Sequence, residues 1–261
     1  MRAEGKCYPR GAADPGERAP QEQTSEFFAS KDHWSRFTAA RAGPDGALYV
    51  VDMYRLVIEH PKWIPDAWQK ELGNLRAGEK QGRIYRVRLK GGALRPMPRL
   101  DRASPRELVA ALESPSGLVR DWAQQQVTWR EEISLAPELA RLATSAGRPA
   151  TRAQALWTLR TIGALSVESV GRALRDPHPG VRRQAVQLSE SFAQTHPHLL
   201  ADLLALTGDP DAAVRRQLAY ALGEWPTAAA GVALAELLVA NDDRFIRAAA
   251  MSSALPHAET L

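Results

Sequence analysis

Apolar side chains recur every three or four positions through most of the chain after Asp101, the spacing that aligns them on one side of an α-helix. Ser104, Pro105 and Glu107 have the pattern of a helix start. Ser caps the free amides, Pro occupies a position that needs no amide partner, and Glu reaches back to close a capping box. A helical region is therefore predicted to begin at Ser104.

The helical region repeats itself along the sequence. Residues 176–185 align with residues 209–218 at an offset of 33 positions. The same register recurs at intervals of 32, 30, 33 and 32 residues and marks five arginines: Arg120, Arg152, Arg182, Arg215 and Arg247. A period of roughly 20–50 residues with two helical segments per unit is typical of α-solenoids. We therefore predict a mainly α fold, a right-handed HEAT-type (armadillo-like) solenoid of about five helix pairs over residues 101–256.

Residues 25–99 have a different pattern and are predicted to be β-rich. Residues 43–46 (Gly-Pro-Asp-Gly) signal a turn ahead of residues 47–54, a β-branched and aromatic run of strand length. Residues 82–88 alternate apolar and basic side chains, as a half-exposed strand does. Two strands do not make a stable sheet alone. This segment is thus expected to be part of something larger, or to lean on the helices.

Residues 1–24 are rich in Gly, Pro and charged side chains and show no hydrophobic period. Such a composition predicts a disordered lead-in. An incorrect start site or a truncated gene is the alternative interpretation.

Charge is divided unevenly along the chain. The net charge is +4, but residues 1–100 carry 18 basic and 12 acidic residues, whereas residues 101–261 carry 16 arginines, no lysine and 18 acidic residues. The helical region is therefore slightly acidic, a poor match for a nucleic-acid groove. We expect no nucleic-acid partner; a nucleic-acid-binding HEAT protein is kept as an alternative.

Several kinds of chemistry find no support in the sequence. Cys7 is the single cysteine, which excludes an internal disulfide, a four-cysteine zinc site and a Cys-x-x-Cys-His haem attachment within this chain. The six histidines are scattered, and no metal site is expected. Nucleophile, phosphate-loop and dinucleotide motifs are absent from the sequence, so no catalytic residue is predicted. No signal peptide is recognisable, and no window approaches the ~18 apolar residues that a membrane span needs.

Several segments of the chain resemble a known family. They are residues 27–34 (FFASKDHW), 43–55 (GPDGALYVVDMYR), 58–65 (IEHPKWIP), 82–87 (GRIYRV), 152–159 (RAQALWTL) and 215–225 (RRQLAYALGEW). The family is that of the exported "membrane-bound dehydrogenase"-type proteins of planctomycetes and verrucomicrobia, which are similar to sorbosone and glucose dehydrogenase propellers. Ser35 and Phe37 depart from the family pattern, which usually has an aromatic residue and a Pro there.

The resemblance implies that residues 25–99 are a short, β-rich remnant of a propeller blade ahead of HEAT repeats. Relatives typically continue into a cytochrome c domain and are exported to the periplasm. Full-length relatives would therefore carry haem c, whereas this chain is expected to hold no cofactor. The compartment of this chain itself is left open.

The recurring arginines have two interpretations. A row of guanidinium groups could track phosphates. In the structural interpretation, each guanidinium bonds a carboxylate or carbonyl in a loop of an adjacent repeat, with Asp176 and Asp209 as the obvious partners. The structural interpretation is favoured because acidic groups recur beside the arginines and Arg can satisfy several acceptors at once. We call the five arginines the ladder.

Asp45 and Asp52 flank the predicted strand 47–54. In similar propellers, acidic residues at blade edges can face a central cofactor or calcium site, which makes these two weak cofactor-binding candidates. The alternative is a turn residue for Asp45 and a strand-end cap for Asp52.

These observations favour a non-catalytic interaction or scaffold module, the propeller-end and HEAT portion of an exported, dehydrogenase-like haem protein. Its partner would be another protein or the remaining domains of the parent polypeptide. The alternative is a contribution to a sugar- or alcohol-oxidising dehydrogenase when the propeller and cytochrome c domains are present.

Overall fold

The computed structural model describes residues 24–258, in which residues 24–99 and residues 100–258 are separate compact units. Apart from Thr24, the predicted disordered lead-in lies outside the described residues. The described part is mainly helical, with eleven α-helices and one small sheet. The mainly α class predicted from the sequence is confirmed at this level.

Residues 24–99 contain a three-stranded antiparallel sheet in the order β1-β2-β3. Its strands are β1 (Phe37–Ala42), β2 (Leu48–Asp52) and β3 (Arg83–Val87). In the register of the central strand, Val50 lies opposite Ala40 on one side and Tyr85 on the other. Ala47 and Val50 are the buried apolar residues of the unit 24–99.

Two elements of this unit differ from the sequence prediction. Strand β1 was not predicted, because its sequence, Phe-Thr-Ala-Ala-Arg-Ala, has neither alternation nor many β-branched residues, and the strand is largely exposed. It pairs with β2, so the sheet has three strands and not the two that were predicted. A short helix, α1 (Asp66–Leu72), lies between β2 and β3, where the sequence pattern predicts no helix, and it ends at Gly73, whose φ is 69°.

Residues 100–258 contain five consecutive helix pairs. The first helices of the pairs are α2 (Pro105–Ala111), α4 (Ala136–Ser145), α6 (Val167–Ala173), α8 (Leu200–Leu204) and α10 (Ala228–Val239). The second helices are α3 (Gly117–Trp129), α5 (Pro149–Thr161), α7 (Pro179–Ser189), α9 (Ala212–Ala221) and α11 (Arg244–Ser252). The second helices pack in chain order, α3 on α5, α5 on α7, α7 on α9 and α9 on α11. Each pair thus covers the apolar side of the next.

One apolar core runs through all five pairs. Leu108, Leu142, Leu156, Leu203 and Leu218 are among its fully buried members. A helix pair of this size cannot bury its apolar stripe by itself, so burial between neighbouring pairs provides the main stabilisation.

The predicted helix start is confirmed. The backbone N–H of Ser104 donates to Glu107 Oε2 at 2.7 Å, and the Glu107 N–H donates to Ser104 Oγ at 3.4 Å. This reciprocal capping satisfies two amides that the helix itself leaves without acceptors.

Within residues 24–258, none of the helices is both long enough and apolar enough to cross a membrane.

The packing of the second helices predicts a large loss of stability when a buried side chain of α9 is truncated and leaves a cavity. Leu218→Ala should lower the free energy of unfolding by about 2–5 kcal/mol, because Leu218 is fully buried in the core that runs between the pairs. Met251→Ala on the adjacent helix α11 is the control, since Met251 is 61% exposed and its truncation should change stability by less than about 0.5 kcal/mol. Urea denaturation followed by circular dichroism measures both. Equal effects for the two variants would contradict the packing described.

Candidate functional site

The ladder arginines occupy one structural position. Each is the fourth residue of a second helix: Arg120 in α3, Arg152 in α5, Arg182 in α7, Arg215 in α9 and Arg247 in α11. Helical side chains tilt toward the N-terminus, so a residue in the first turn can reach the loop that precedes its helix.

Four of the arginines bond that preceding loop in the same way. In each, Nη1 donates to the backbone carbonyl six residues earlier: Arg120 to Ser114 (2.8 Å), Arg152 to Ala146 (2.8 Å), Arg182 to Asp176 (2.9 Å) and Arg215 to Asp209 (2.6 Å). We call the residue six before a ladder arginine the loop position; in the five pairs it is Ser114, Ala146, Asp176, Asp209 and Asn241.

Two arginines also donate to an aspartate at the loop position of the following pair. Arg152 donates from Nε and Nη2 to the two oxygens of Asp176 at 2.6 and 2.7 Å. Arg182 makes the same pair of bonds to Asp209 at 2.7 and 2.8 Å. All four side chains are at most 13% exposed. Parallel, charge-assisted bonds of this kind fix geometry as well as adding energy, so they join consecutive pairs in one register.

The loop-position side chain also folds its own loop. Asp176 Oδ1 accepts the backbone N–H of His178 at 2.8 Å, and Asp209 Oδ1 accepts that of Asp211 at 2.9 Å. A carboxylate that bonds an amide two residues later is a common means of closing a turn. The same aspartate therefore shapes the loop and receives the arginine of the preceding pair.

The ladder changes at its two ends. Arg215 finds an amide, donating from Nε to Asn241 Oδ1 at 3.1 Å. Arg120 finds no side-chain acceptor at the next loop position, which is Ala146. Among the described residues, its hydrogen-bond acceptor is the Ser114 carbonyl, and its buried Nε has no partner. Arg247 is exposed, and its side chain makes no hydrogen bond or ion pair within residues 24–258.

These contacts lower the pKa of Asp176. Burial by itself would raise the pKa of Asp176, but the hydrogen bonds and charge of Arg152, together with the His178 amide, hold that pKa below its usual value. The carboxylate therefore stays ionised in the fold at neutral and mildly acidic pH.

Asp45, the first of the two weak cofactor-binding candidates, is hydrogen-bonded to other residues of the unit 24–99. It is 6% exposed and accepts hydrogen bonds from the Ala47 amide (3.0 Å), the Tyr49 hydroxyl (2.9 Å) and Arg86 Nε (2.9 Å). The Ala47 amide, followed by Tyr49 and Arg86, lowers the pKa of Asp45 against its partial desolvation. Asp45 thereby ties the β1–β2 turn to strand β3.

Asp52, the second candidate, is fully buried. Its oxygens accept the backbone N–H groups of Arg36 (2.7 Å) and Tyr54 (3.0 Å) and the hydroxyl of Ser35 (3.1 Å). Burial would raise the pKa of Asp52, but these donors and the charge of Arg83 hold it below its usual value. Asp45 and Asp52 share no hydrogen-bond donor among the described residues. Within residues 24–258, no three His, Cys, Asp or Glu side chains cluster as metal ligands would.

The second helices also present two columns of partly or fully exposed side chains. Two residues after a ladder arginine stand Gln154, Gln184 and Gln217; five residues after it stand Trp157, Gln187 and Tyr220. We call these six residues the second-helix face. Trp157 Nε1 donates to Gln184 Oε1 at 2.7 Å between α5 and α7, and Gln154 Nε2 donates to Gln124 Oε1 between α3 and α5.

Sequence reasoning missed this face, because none of its six residues stands out as a candidate in the sequence pattern. Both columns are visible in the repeat register once the exposed side of the second helices is known. Tyr220, for example, is 47% exposed.

Comparisons with known proteins describe the two parts of the chain separately. A family model described as HEAT repeats matches residues 167–254, in agreement with the repeats predicted there. A second model, described as a domain of unknown function (DUF7133), matches residues 3–91. Each covers about a third of the chain. No curated protein matches the chain. HEAT repeats imply protein–protein interaction, because stacked repeats present extended binding surfaces.

The buried ion pair between Arg152 and Asp176 predicts a large loss of stability when the carboxylate is removed. Asp176→Ala should lower the free energy of unfolding by about 3–5 kcal/mol, because it leaves the Arg152 guanidinium buried and unpaired. Asp202→Ala removes the partner of Arg175, whose side chain is 69% exposed, and should cost at most about 1 kcal/mol. Chemical denaturation compares the two variants. A penalty for Asp176→Ala no larger than that for Asp202→Ala would contradict a joining role for the ladder.

The lowered pKa of Asp176 predicts a pH-dependent penalty for Asp176→Asn. A carboxyl group whose pKa is lower in the fold than in the unfolded chain stabilises the fold above its unfolded pKa, about 3.9 for Asp, and this contribution is lost as pH falls through the folded pKa. The stability difference between wild type and Asp176→Asn should therefore be largest near neutral pH and shrink below about pH 4. Thermal unfolding across that range measures it, and a difference that grows toward acid would show the opposite sign.

Proposed function

We propose that residues 101–256 form a right-handed, HEAT-type α-solenoid that binds a protein partner through the second-helix face and performs no chemistry of its own. The observation that carries the proposal is the column arrangement. Equivalent side chains recur on α5, α7 and α9 at a constant place relative to the ladder. Repeat proteins build extended binding surfaces in this way, one row of contacts per repeat.

The chemistry of the face suits a polypeptide. Trp157 and Tyr220 offer large amphipathic rings, the residue types that contribute most to protein interfaces. Gln184 and Gln217 offer amide groups, each with donors and acceptors that match peptide bonds. The six residues of the second-helix face are themselves uncharged, whereas a phosphate backbone is held chiefly by Lys and Arg.

The charge balance supports a protein partner over nucleic acid. Residues 101–261 carry no lysine, and their 16 arginines are outnumbered by 18 acidic residues. Arg152 and Arg182, two of the ladder arginines, are already held by Asp176 and Asp209.

We also propose that residues 25–99 are the end of a propeller blade in a polypeptide related to the exported, dehydrogenase-like haem proteins that the sequence resembles. The antiparallel order β1-β2-β3 supports this, because blades are four-stranded antiparallel sheets. On this proposal the partner is another protein or the remaining domains of the parent polypeptide. Oxidation of a sugar or alcohol would need the propeller and the cytochrome c domain, where haem c would be held.

Site-specific photo-cross-linking tests the binding proposal. Gln187, exposed on second helix α7, is replaced by p-benzoylphenylalanine, and the purified full chain is irradiated in an extract of its source organism. Arg172, exposed on first helix α6, carries the same probe in the control. We expect one protein to cross-link from position 187 and not from position 172, with identification by mass spectrometry.

Two results would contradict the proposal. Equal cross-linking from positions 187 and 172 would remove the second-helix face as the binding surface. Turnover of a sugar or alcohol with an artificial electron acceptor by the purified chain would show that it is not a non-catalytic module.

A further inference from the structure

Helices α3, α5 and α7 enclose a cleft of about 390 Å³ on the side of the second-helix face. Its walls include the guanidinium groups of Arg120 and Arg183, together with Gln154, Trp157 and Gln184. No Asp or Glu lines the cleft. The cleft is therefore locally cationic, although the helical region as a whole is slightly acidic.

The cationic character has a specific structural origin. The guanidinium groups of Arg152 and Arg182 form ion pairs with the aspartates of the following loops. Arg120 does not, because the following loop position is Ala146, which supplies a backbone carbonyl to Arg152 but no side-chain acceptor. The Nε of Arg120 is buried without a partner among the described residues. A buried donor left unpaired is costly, and it belongs to a guanidinium group that lines the cleft and has no carboxylate partner.

Arg183 adds a second unneutralised guanidinium. It follows the paired Arg182 on α7, and its side chain makes no hydrogen bond or ion pair with any residue of the described range 24–258. The carboxylates nearest along the ladder, Asp176 and Asp209, are held by Arg152 and Arg182.

The remaining walls favour an extended peptide. Gln184 uses its amide oxygen to accept from Trp157, which leaves its amide nitrogen to donate to a peptide carbonyl. Gln154 uses its amide nitrogen to donate to Gln124, which leaves its oxygen to accept a peptide N–H. One free donor and one free acceptor match the two polar groups of a peptide bond, and the Trp157 ring provides an apolar wall.

We propose that this cleft binds an acidic segment of a protein partner in extended form, with Asp or Glu side chains contacting Arg120 and Arg183 and the peptide backbone contacting Gln154 and Gln184. This inference rests on the proposed function, of which it names the partner chemistry. Two guanidinium groups with no carboxylate in the same walls form a complementary site for a carboxylate.

The test uses a fluorescein-labelled decapeptide of alternating Glu and Ala, with the Gln-for-Glu peptide as its counterpart. Binding to the full chain is measured by fluorescence anisotropy, and the indole signal of Trp157 is followed by NMR. We expect the Glu peptide to bind and to shift the Trp157 signal, and the Gln peptide to bind at least about tenfold more weakly, because hydrogen bonds between charged groups are lost.

Three variants locate the binding. Arg183→Gln removes one cationic contact. Ala146→Asp places a carboxylate at the loop position that Asp176 and Asp209 hold in later pairs, where it should pair with Arg120 and leave the fold at least as stable. Each should weaken Glu-peptide binding about fivefold or more through the loss of a charge-assisted contact. Arg172→Gln removes an exposed charge on α6, outside the cleft, and should leave binding unchanged.

Equal affinity for the Glu and Gln peptides would overturn the inference, as would equal weakening by Arg172→Gln and Arg183→Gln. Displacement of the peptide by a duplex oligonucleotide that binds more tightly would assign the cleft to nucleic acid and overturn it as well. If cross-linking from position 187 persists in the Ala146→Asp and Arg183→Gln variants while no Glu peptide binds, the inference fails and the proposed function stands. If the wild type neither binds the Glu peptide nor cross-links from position 187, both the inference and the proposed function fail.

Discussion

The interaction on which the helical part depends is the bond between a ladder arginine and the loop of the following helix pair. Burial of apolar stripes holds neighbouring pairs together, but it is not directional and would tolerate sliding. The bidentate bonds from Arg152 to Asp176 and from Arg182 to Asp209 fix the register, because two parallel bonds are satisfied in one relative position only. Each aspartate also closes its own loop, so loop shape and stacking register are set by the same side chain.

The repeat could be predicted from the sequence because this constraint leaves a local signature. Asp-Pro, followed six residues after the Asp by Arg, marks both the loop and the helix that follows it. The structure adds which loop receives each guanidinium, a contact between residues 24 or 27 positions apart that spacing alone does not assign. Strand β1 was missed for a different reason. Its residues have low β-propensity, and its strand form comes from pairing with β2.

The candidate site was only partly accessible to sequence reasoning. The ladder arginines and the two aspartates were singled out, but they were treated as one uniform set. Ala146 stands at the loop position in the same register, and its small side chain carries no signal until the contacts of Arg152 and Arg182 show what that position does elsewhere. The second-helix face was missed because exposure of Gln184 or Tyr220 depends on which side of its helix the neighbouring pairs cover. Periodicity identifies the buried stripe and leaves the chemistry of the opposite side unassigned.

An interruption in a repeating structure can give one repeat a property that the others lack. A surface built from identical repeats would bind a partner equally well in several registers, because each row of contacts resembles the next. The second-helix face has this character in its glutamine and aromatic columns. Replacing the loop aspartate with Ala146 leaves Arg120 with unmet bonding capacity at one place, and Arg183 lies in the same cleft. Carboxylates that bond these two arginines would fix the register of an extended partner, because the ladder arginines Arg152 and Arg182 are already paired with aspartates. Among the described residues, two buried side-chain donors have no partner, Arg120 Nε and Trp225 Nε1, and of these two residues only Arg120 lines the cleft, where a ligand can offer acceptors to its guanidinium group.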